Sequence, residues 1–181
     1  MRHALVIGGT GMLREVCLWL ERQDYQVSVV GRNTEKMRHL LNKASNPRQF
    51  TPLFVDYQNI GQLRKQIAKT IEKNGPIELV VAWIHSHAKE AISSINEVVN
   101  DRGKWELFHV LGSSTNLEEI KKGIPVNDHC SYHQIQLGFV IEKEFSRWLT
   151  HDEISNGVVK AIQEKVPKLT IGQIEPWDKR P

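Results

Sequence analysis

Residues 4–12, Ala-Leu-Val-Ile-Gly-Gly-Thr-Gly-Met, constrain this chain more than any other stretch. A short apolar run, Ala4 to Ile7, breaks into Gly8, Gly9 and Gly11, and an amphipathic segment from Met12 to Leu20 follows. Strand, glycine turn, helix is the order in which such glycines signal dinucleotide binding. Glycine lets the main chain turn tightly and approach a pyrophosphate, whose charge then rests on the N–H groups and dipole of a helix N-terminus. Gly8, Gly9, Thr10, Gly11 and Met12 are therefore the expected phosphate cradle. The motif is incomplete: a full G-x-x-G-x-x-G would carry glycine at position 14, where this chain has Arg14, and the T-G-x-x-x-G spacing fails at Glu15. The third glycine serves close helix–strand packing, so its loss is expected to shift the helix outward more than to abolish the cradle. A plain structural turn is the competing reading.

The rest of the chain alternates strands and helices with almost no spare sequence. Gln26–Val30 reads as a second strand ending at Gly31-Arg32-Asn33, and Thr34 can cap a helix to about Lys43. Asn46-Pro47 breaks that helix, and Phe50–Val55 forms a third strand ending at Asp56. Leu63, Ile67 and Ile71 recur at helical spacing until Asn74-Gly75-Pro76. Ile77–Ile84 is apolar without alternation, the mark of a strand buried on both faces of a parallel sheet. A helix to about Asn100 and a fifth strand, Trp105–Leu111, follow, ending at Gly112-Ser113-Ser114. Beyond Ser114 there is room only for a short helix over Leu117–Lys122, then a strand over Gln134–Ile141. Thr150 and Glu153 are spaced as a capping box, and Leu169–Ile174 reads as a last strand. This pattern predicts one α/β domain spanning 1–181, a doubly wound parallel sheet with helices on both faces and right-handed crossovers. Ligands of such sheets sit beyond the carboxyl ends of the strands, which directs attention to Gly8–Met12, Arg32, Asp56, Ile84–His87 and Gly112–Thr115.

Composition excludes more than it assigns. A formal net charge of +3, with Lys and Arg interleaved among Asp and Glu, gives no concentrated basic stripe for nucleic acid. No apolar run approaches the roughly 20 residues that span a bilayer. Two cysteines, Cys17 and Cys130, make no disulfide framework, and Met1-Arg2-His3 leads straight into a strand. Both point to a cytoplasmic protein. Cys17 falls on the apolar side of the first helix and reads as core.

The Gly-Gly-Thr-Gly turn, the Gly-Arg-Asn after strand two, the Val-Asp after strand three and the Ser-Ser after strand five together resemble the short-chain dehydrogenase/reductase superfamily. The Gly-Gly-Thr-Gly opening is closest to its atypical, NmrA-like branch. The resemblance covers nearly the whole chain in element order and is most specific over residues 4–56. It implies the strand order 3-2-1-4-5-6-7, binding of NAD or NADP, and an Asp56 contact to the adenine. An acidic residue ending strand two would hydrogen-bond the ribose and repel a 2′-phosphate, whereas an Arg accommodates that phosphate. Arg32, followed by Asn33, therefore favours NADP over NAD.

In a catalytic member a Ser ends strand five, and a Tyr and a Lys with three residues between them lie on a long helix. The Lys lowers the Tyr pKa so that the phenol exchanges a proton while hydride moves. Ser113 or Ser114 can fill the serine position, but the only later tyrosine is Tyr132, and Gln136 stands where the lysine should be. A neutral amide cannot perform that electrostatic task. His85, beside the buried fourth strand, offers a substitute acid or base at neutral pH, with His87 a weaker candidate. His85, His87, His129, Cys130 and His133 match no standard zinc spacing, so no metal is expected. His151 and Asp152 read as helix-start residues, and Trp83, Trp105 and Trp148 as core or interface aromatics.

Two functions fit. One is an NADP-dependent oxidoreductase acting on a small carbonyl or alcohol, with Ser113 or Ser114 polarising the substrate oxygen and Tyr132 or His85 as proton donor. The other is a non-catalytic NADP-binding sensor or regulator, favoured by the missing Tyr–Lys pair. A vestigial nucleotide site on an interaction scaffold is a third reading, supported by Arg14. The expected partner is a small-molecule substrate, with homo-oligomerisation open and no nucleic acid or membrane.

Overall fold

The computed structural model describes residues 1–85, 88–100 and 103–181. Seven strands form one parallel sheet: β1 (Arg2–Ile7), β2 (Tyr25–Gly31), β3 (Phe50–Phe54), β4 (Leu79–Trp83), β5 (Trp105–Leu111), β6 (Cys130–Leu137) and, at the far edge, β9 (Lys168–Ile171). Their order is β3-β2-β1-β4-β5-β6-β9. This is the doubly wound arrangement that the strand–helix alternation predicts. The helices are α1 (Arg14–Arg22), α2 (Thr34–Lys43), α3 (Ile60–Asn74), α4 (Lys89–Val99), α5 (Leu117–Gly123) and α6 (His151–Glu164).

Alternation along the central strands divides the core in two. Ala4, Val6, Val27, Val29, Phe108 and Val110 face α1, α2 and α6, where Val16, Leu20, Met37, Leu40 and Val158 complete one cluster. Leu5, Ile7, Val80, Ala82 and Leu107 face α3 and α4, where Leu63, Ile67, Ala91, Ile92 and Ile95 complete the other. Each fully buried Val, Leu or Ile stabilises the fold by about 1.5–3 kcal/mol relative to an exposed one. Strands buried on both faces anchor this sheet between its helices, and they carry the loops at its carboxyl edge to fixed positions.

Three departures from the sequence reading have a visible physical cause. Asn33, not Thr34, caps α2, its side-chain oxygen accepting the Lys36 N–H at 2.9 Å. The run Gln134–Ile141 is not one strand. The chain leaves the sheet at Gly138, where a β-carbon would run into the Gln173 backbone, and Phe139 pairs antiparallel with Gln173. A hairpin follows, β7 (Phe139–Glu142) and β8 (Phe145–Trp148), turning at Lys143. The last strand stops at Ile171 because Gly172 turns left-handed at φ +73°. The capping box at Thr150 and Glu153 is present as expected. Of the three tryptophans read as core or interface, Trp105 is fully buried, Trp83 half-buried, and Trp148 exposed beneath the Arg180 guanidinium.

Candidate functional site at the carboxyl edge of the sheet

The glycine turn sits where β1 hands over to α1. Gly8 adopts φ +93°, a conformation L-residues avoid, and its carbonyl accepts the Gly11 and Leu13 N–H groups at 3.1 and 3.3 Å. A β-carbon on Gly9 would lie 2.5 Å from the Cys17 sulfur and 2.9 Å from Val29, so that position has no room for one. Gly11 has nothing nearer than the Gly8 carbonyl at 3.8 Å, leaving the main chain open to close approach. Ser155 on α6 donates to the Met12 carbonyl at 2.9 Å and ties the turn to the opposite helix. Cys17 is fully buried and its thiol is pushed far above the usual range by desolvation, as a core residue requires.

Around this turn lies a depression of about 410 Å³ lined by Thr10, Gly11, Arg14, Asn33, Lys36 and His151, among others. Arg14, in the place of the third glycine, opens α1. Its Nε is buried without a hydrogen bond, 3.5 Å from Glu15. The Arg14 side chain, partly exposed and paired with Glu15, lines the depression beside the open Gly11, and in this respect the residues present fit a pyrophosphate. Arg32 extends from the end of β2 with its side chain 73% exposed, and donates to Asp56 at 3.0 Å. The two residues read separately as phosphate and adenine contacts thus pair with one another. Asn33 spends its oxygen on the α2 cap.

A larger cleft, about 590 Å³, opens past β4 and β5 between α4 and α5. Trp83, Ile92, Leu111, Ile120 and Ile124 form its walls, with His85, Ser114 and Thr115 at the strand ends and Lys89, Glu90 and Glu119 also lining it. His85 is exposed and its ring meets Trp83 edge-on, with centroids 5.8 Å apart. Ser113 instead lines a neighbouring shallow depression with Gln136, Lys168 and Glu175, and Ser114 borders both. Ser114 and His85 therefore meet at one cleft, while Ser113 lies outside its lining. His87 lies outside the described residues. Among the described residues no group of three or more His, Cys, Asp or Glu is placed to hold a metal.

The structure changes the setting of Tyr132. It lies on β6, not on a long helix, and α5 is short. Gln136, at the lysine's sequence position, donates to the Ser113 and Thr115 carbonyls at 3.2 and 3.0 Å and staples the loop after β5. The Tyr132 hydroxyl lies 2.9 Å from His109 Nδ1. Desolvation, the largest influence on it, pushes the phenol well above its ordinary range, opposite to the shift a Tyr–Lys pair produces. His109 is the residue the sequence reading missed. It is 5% exposed, lines the cleft, and burial lowers its pKa to about 4, so it is neutral at pH 7. One signal was present: a lone imidazole inside the otherwise apolar stretch Leu107–Leu111.

No protein-family model matches the chain, and no curated protein matches it in sequence. Solved structures do. An apo SCOR enzyme from Clostridium thermocellum is similar with a TM-score of 0.71 at 14% identity, over 99% of this chain and 94% of that one. A short chain dehydrogenase from Bacillus anthracis gives 0.68 at 15% identity, over 94% of each chain. An actinorhodin polyketide ketoreductase variant solved with NADPH gives 0.67 at 14% identity, over 94% and 95%. The fold is that of short-chain dehydrogenases and reductases, and at this identity the likeness is one of architecture. Among the described residues no helix is long and apolar enough to cross a membrane.

Proposed function

We propose that this protein is an NADP-dependent oxidoreductase of the short-chain type, acting on a small carbonyl or alcohol, with residues 1–181 as one nucleotide-binding domain. The observation that carries the reading is the Gly8–Leu13 turn: left-handed at Gly8, without space for a side chain at Gly9, open at Gly11, and flanked by the Arg14 side chain. The turn would hold the pyrophosphate. Arg32 would take the 2′-phosphate by exchanging its exposed pairing with Asp56 for a bidentate one. A nicotinamide held there would supply or accept the hydride, a chemistry no side chain here can provide. The chain's own residues supply the rest: Ser114 and His85 offer polar groups at the cleft, and Trp83, Ile92 and Leu111 an apolar wall for the substrate's body. Placement in the NmrA-like branch rests on Gly8-Gly9-Thr10-Gly11 alone, and none of the three neighbours described above is named for that branch.

Calorimetric titration of the apo protein with NADPH and with NADH tests the cofactor reading. Tighter NADPH binding, weakened by Arg32→Glu, is the expected result; no binding of either would make the turn purely structural. The sensor reading draws on Tyr132, whose hydroxyl is engaged by His109 on a strand. It predicts NADPH binding without oxidation when ketones are added.

A further inference from the structure

A directed chain of hydrogen bonds ends inside the large cleft. The Leu117 carbonyl can only accept, so its 2.8 Å contact identifies the Gln134 side-chain nitrogen as the donor. The same nitrogen lies 3.3 Å from the Tyr132 hydroxyl, which therefore accepts from Gln134 and has its own proton free to donate. His109 Nδ1, at 2.9 Å, is the one acceptor among the described residues placed to take that proton, which selects the tautomer in which Nδ1 accepts. With Nδ1 accepting, a neutral imidazole must carry its hydrogen on Nε2. Nε2 has no hydrogen-bond partner among the described residues and is not among their buried unsatisfied atoms, and the cleft that His109 lines is where we place it. Register fixes the arrangement: His109 lies opposite Gln134 on the neighbouring strand, and Leu107 opposite Tyr132.

We infer that the α4–α5 cleft binds an uncharged molecule with an apolar body and one carbonyl oxygen, which accepts a hydrogen bond from His109 Nε2, with Tyr132 and Gln134 positioning that donor. The walls Trp83, Ile92, Leu111, Ile120 and Ile124 suit the apolar body. An anion is disfavoured, because His109 is neutral and Glu90 and Glu119 line the cleft against the single cation Lys89 among the described residues. The role of the ligand as substrate rests on the oxidoreductase reading; its recognition by His109 does not. His109 would contact the ligand directly, whereas Tyr132 acts through it.

The test uses full-length protein without nucleotide and a matched pair of probes, acetophenone and ethylbenzene, which share a shape but differ in the acceptor. Wild type is expected to bind acetophenone about fivefold more tightly than ethylbenzene, the worth of one hydrogen bond. Nitrogen-15 spectra of His109 should show the Nε2–H tautomer. His109→Phe should abolish the preference while retaining ethylbenzene binding. Tyr132→Phe keeps the imidazole but should mix its tautomers and shrink the preference, a spectroscopic change that loss of packing alone would not cause. Equal affinity for the two probes, no binding of either, or an Nδ1–H imidazole in wild type would overturn the assignment. A ketone preference in a protein that ignores NADPH would remove the oxidoreductase reading and leave the cleft assignment standing. The reverse pattern would do the opposite.

Discussion

Two buried histidines sit at opposite edges of this sheet, and each terminates a directed chain of hydrogen bonds. At the amino edge, Asn74 donates to Thr70 at 2.9 Å, and Thr70 Oγ1 and Ser28 Oγ lie 2.6 Å apart. Ser28 reaches His3 Nε2 at 2.8 Å, and His3 Nδ1 donates to the Gly75 carbonyl at 2.8 Å. Every member is satisfied, and the chain closes on the protein itself. At the carboxyl edge Gln134, Tyr132 and His109 form a similar relay, which ends on a histidine that lines a cleft. Buried polar groups are normally paired because leaving one unpaired costs about 1–3 kcal/mol. The closed relay is thus a structural device, and the open one is stocked for a ligand.

Breaking the closed relay should have the largest effect on stability. His3→Ala would strand Gly75 and Ser28 and leave a cavity under β1 and β2, which we expect to cost about 3–4 kcal/mol in urea unfolding at pH 7. A loss below about 1 kcal/mol would mean that water replaces the imidazole and that the amino-edge relay is not closed.

Acid should weaken both edges in the same direction. Burial lowers the pKa of His109 from 6.5 to about 4 and lowers that of His3 as well, so between these values the unfolded chain binds protons that the native state refuses. The His109 contribution is fully present above about pH 6.5 and falls away as pH drops toward 4, and that of His3 is lost in the same direction. For His109 alone it amounts to about 3 kcal/mol. Urea midpoints measured from pH 7 to pH 4.5 should decline, and His109→Phe should flatten the decline. A variant as acid-sensitive as wild type would show that the imidazole is hydrated and not desolvated by the cleft walls.

How much of this was legible in the sequence follows from what each feature depends on. The doubly wound class and its buried elements could be read because they rest on periodicity, Leu63, Ile67 and Ile71 at helical spacing and Leu79–Ala82 continuously apolar, whereas the strand order was implied by the family resemblance. The glycine turn could be read because Gly8 and Gly9 mark a local backbone requirement. The cleft's lining at the ends of β4 and β5, Ile84, His85, Gly112, Ser114 and Thr115, could be read from the strand ends, but the relay behind it could not. His109 and Tyr132 are 23 residues apart and meet only through the β5–β6 register, which no local pattern encodes. Likewise Arg32 and Asp56, 24 residues apart, were readable as two strand-end residues but not as a pair. The hairpin at 139–148 was hidden because Gly138 leaves the sheet on account of a close approach by Gln173, a contact made across the fold.

The nucleotide side of the carboxyl edge offers a smaller effect. Arg32→Glu replaces an exposed cation with an anion beside Asp56, and NADPH affinity should fall about tenfold while NADH affinity changes little. Equal loss for both nucleotides would place Arg32 on the shared diphosphate and not on the 2′-phosphate.

The smallest effect should come from the open relay at neutral pH, and it is the one that separates the two edges most cleanly. His109→Phe keeps a ring of similar size on β5 between Leu107 and Leu111 and removes no bond to the main chain. Tyr132 loses its acceptor but still receives a hydrogen bond from Gln134. His109 Nε2 has no hydrogen-bond partner among the described residues, so its loss strands none of them on the cleft side. We expect a change under about 1 kcal/mol in urea unfolding at pH 7, a fraction of the His3→Ala cost. If His109→Phe were instead as costly as His3→Ala, the Tyr132–His109 contact would be a structural link like its counterpart. The reason for reading the cleft edge as the functional one would then be gone.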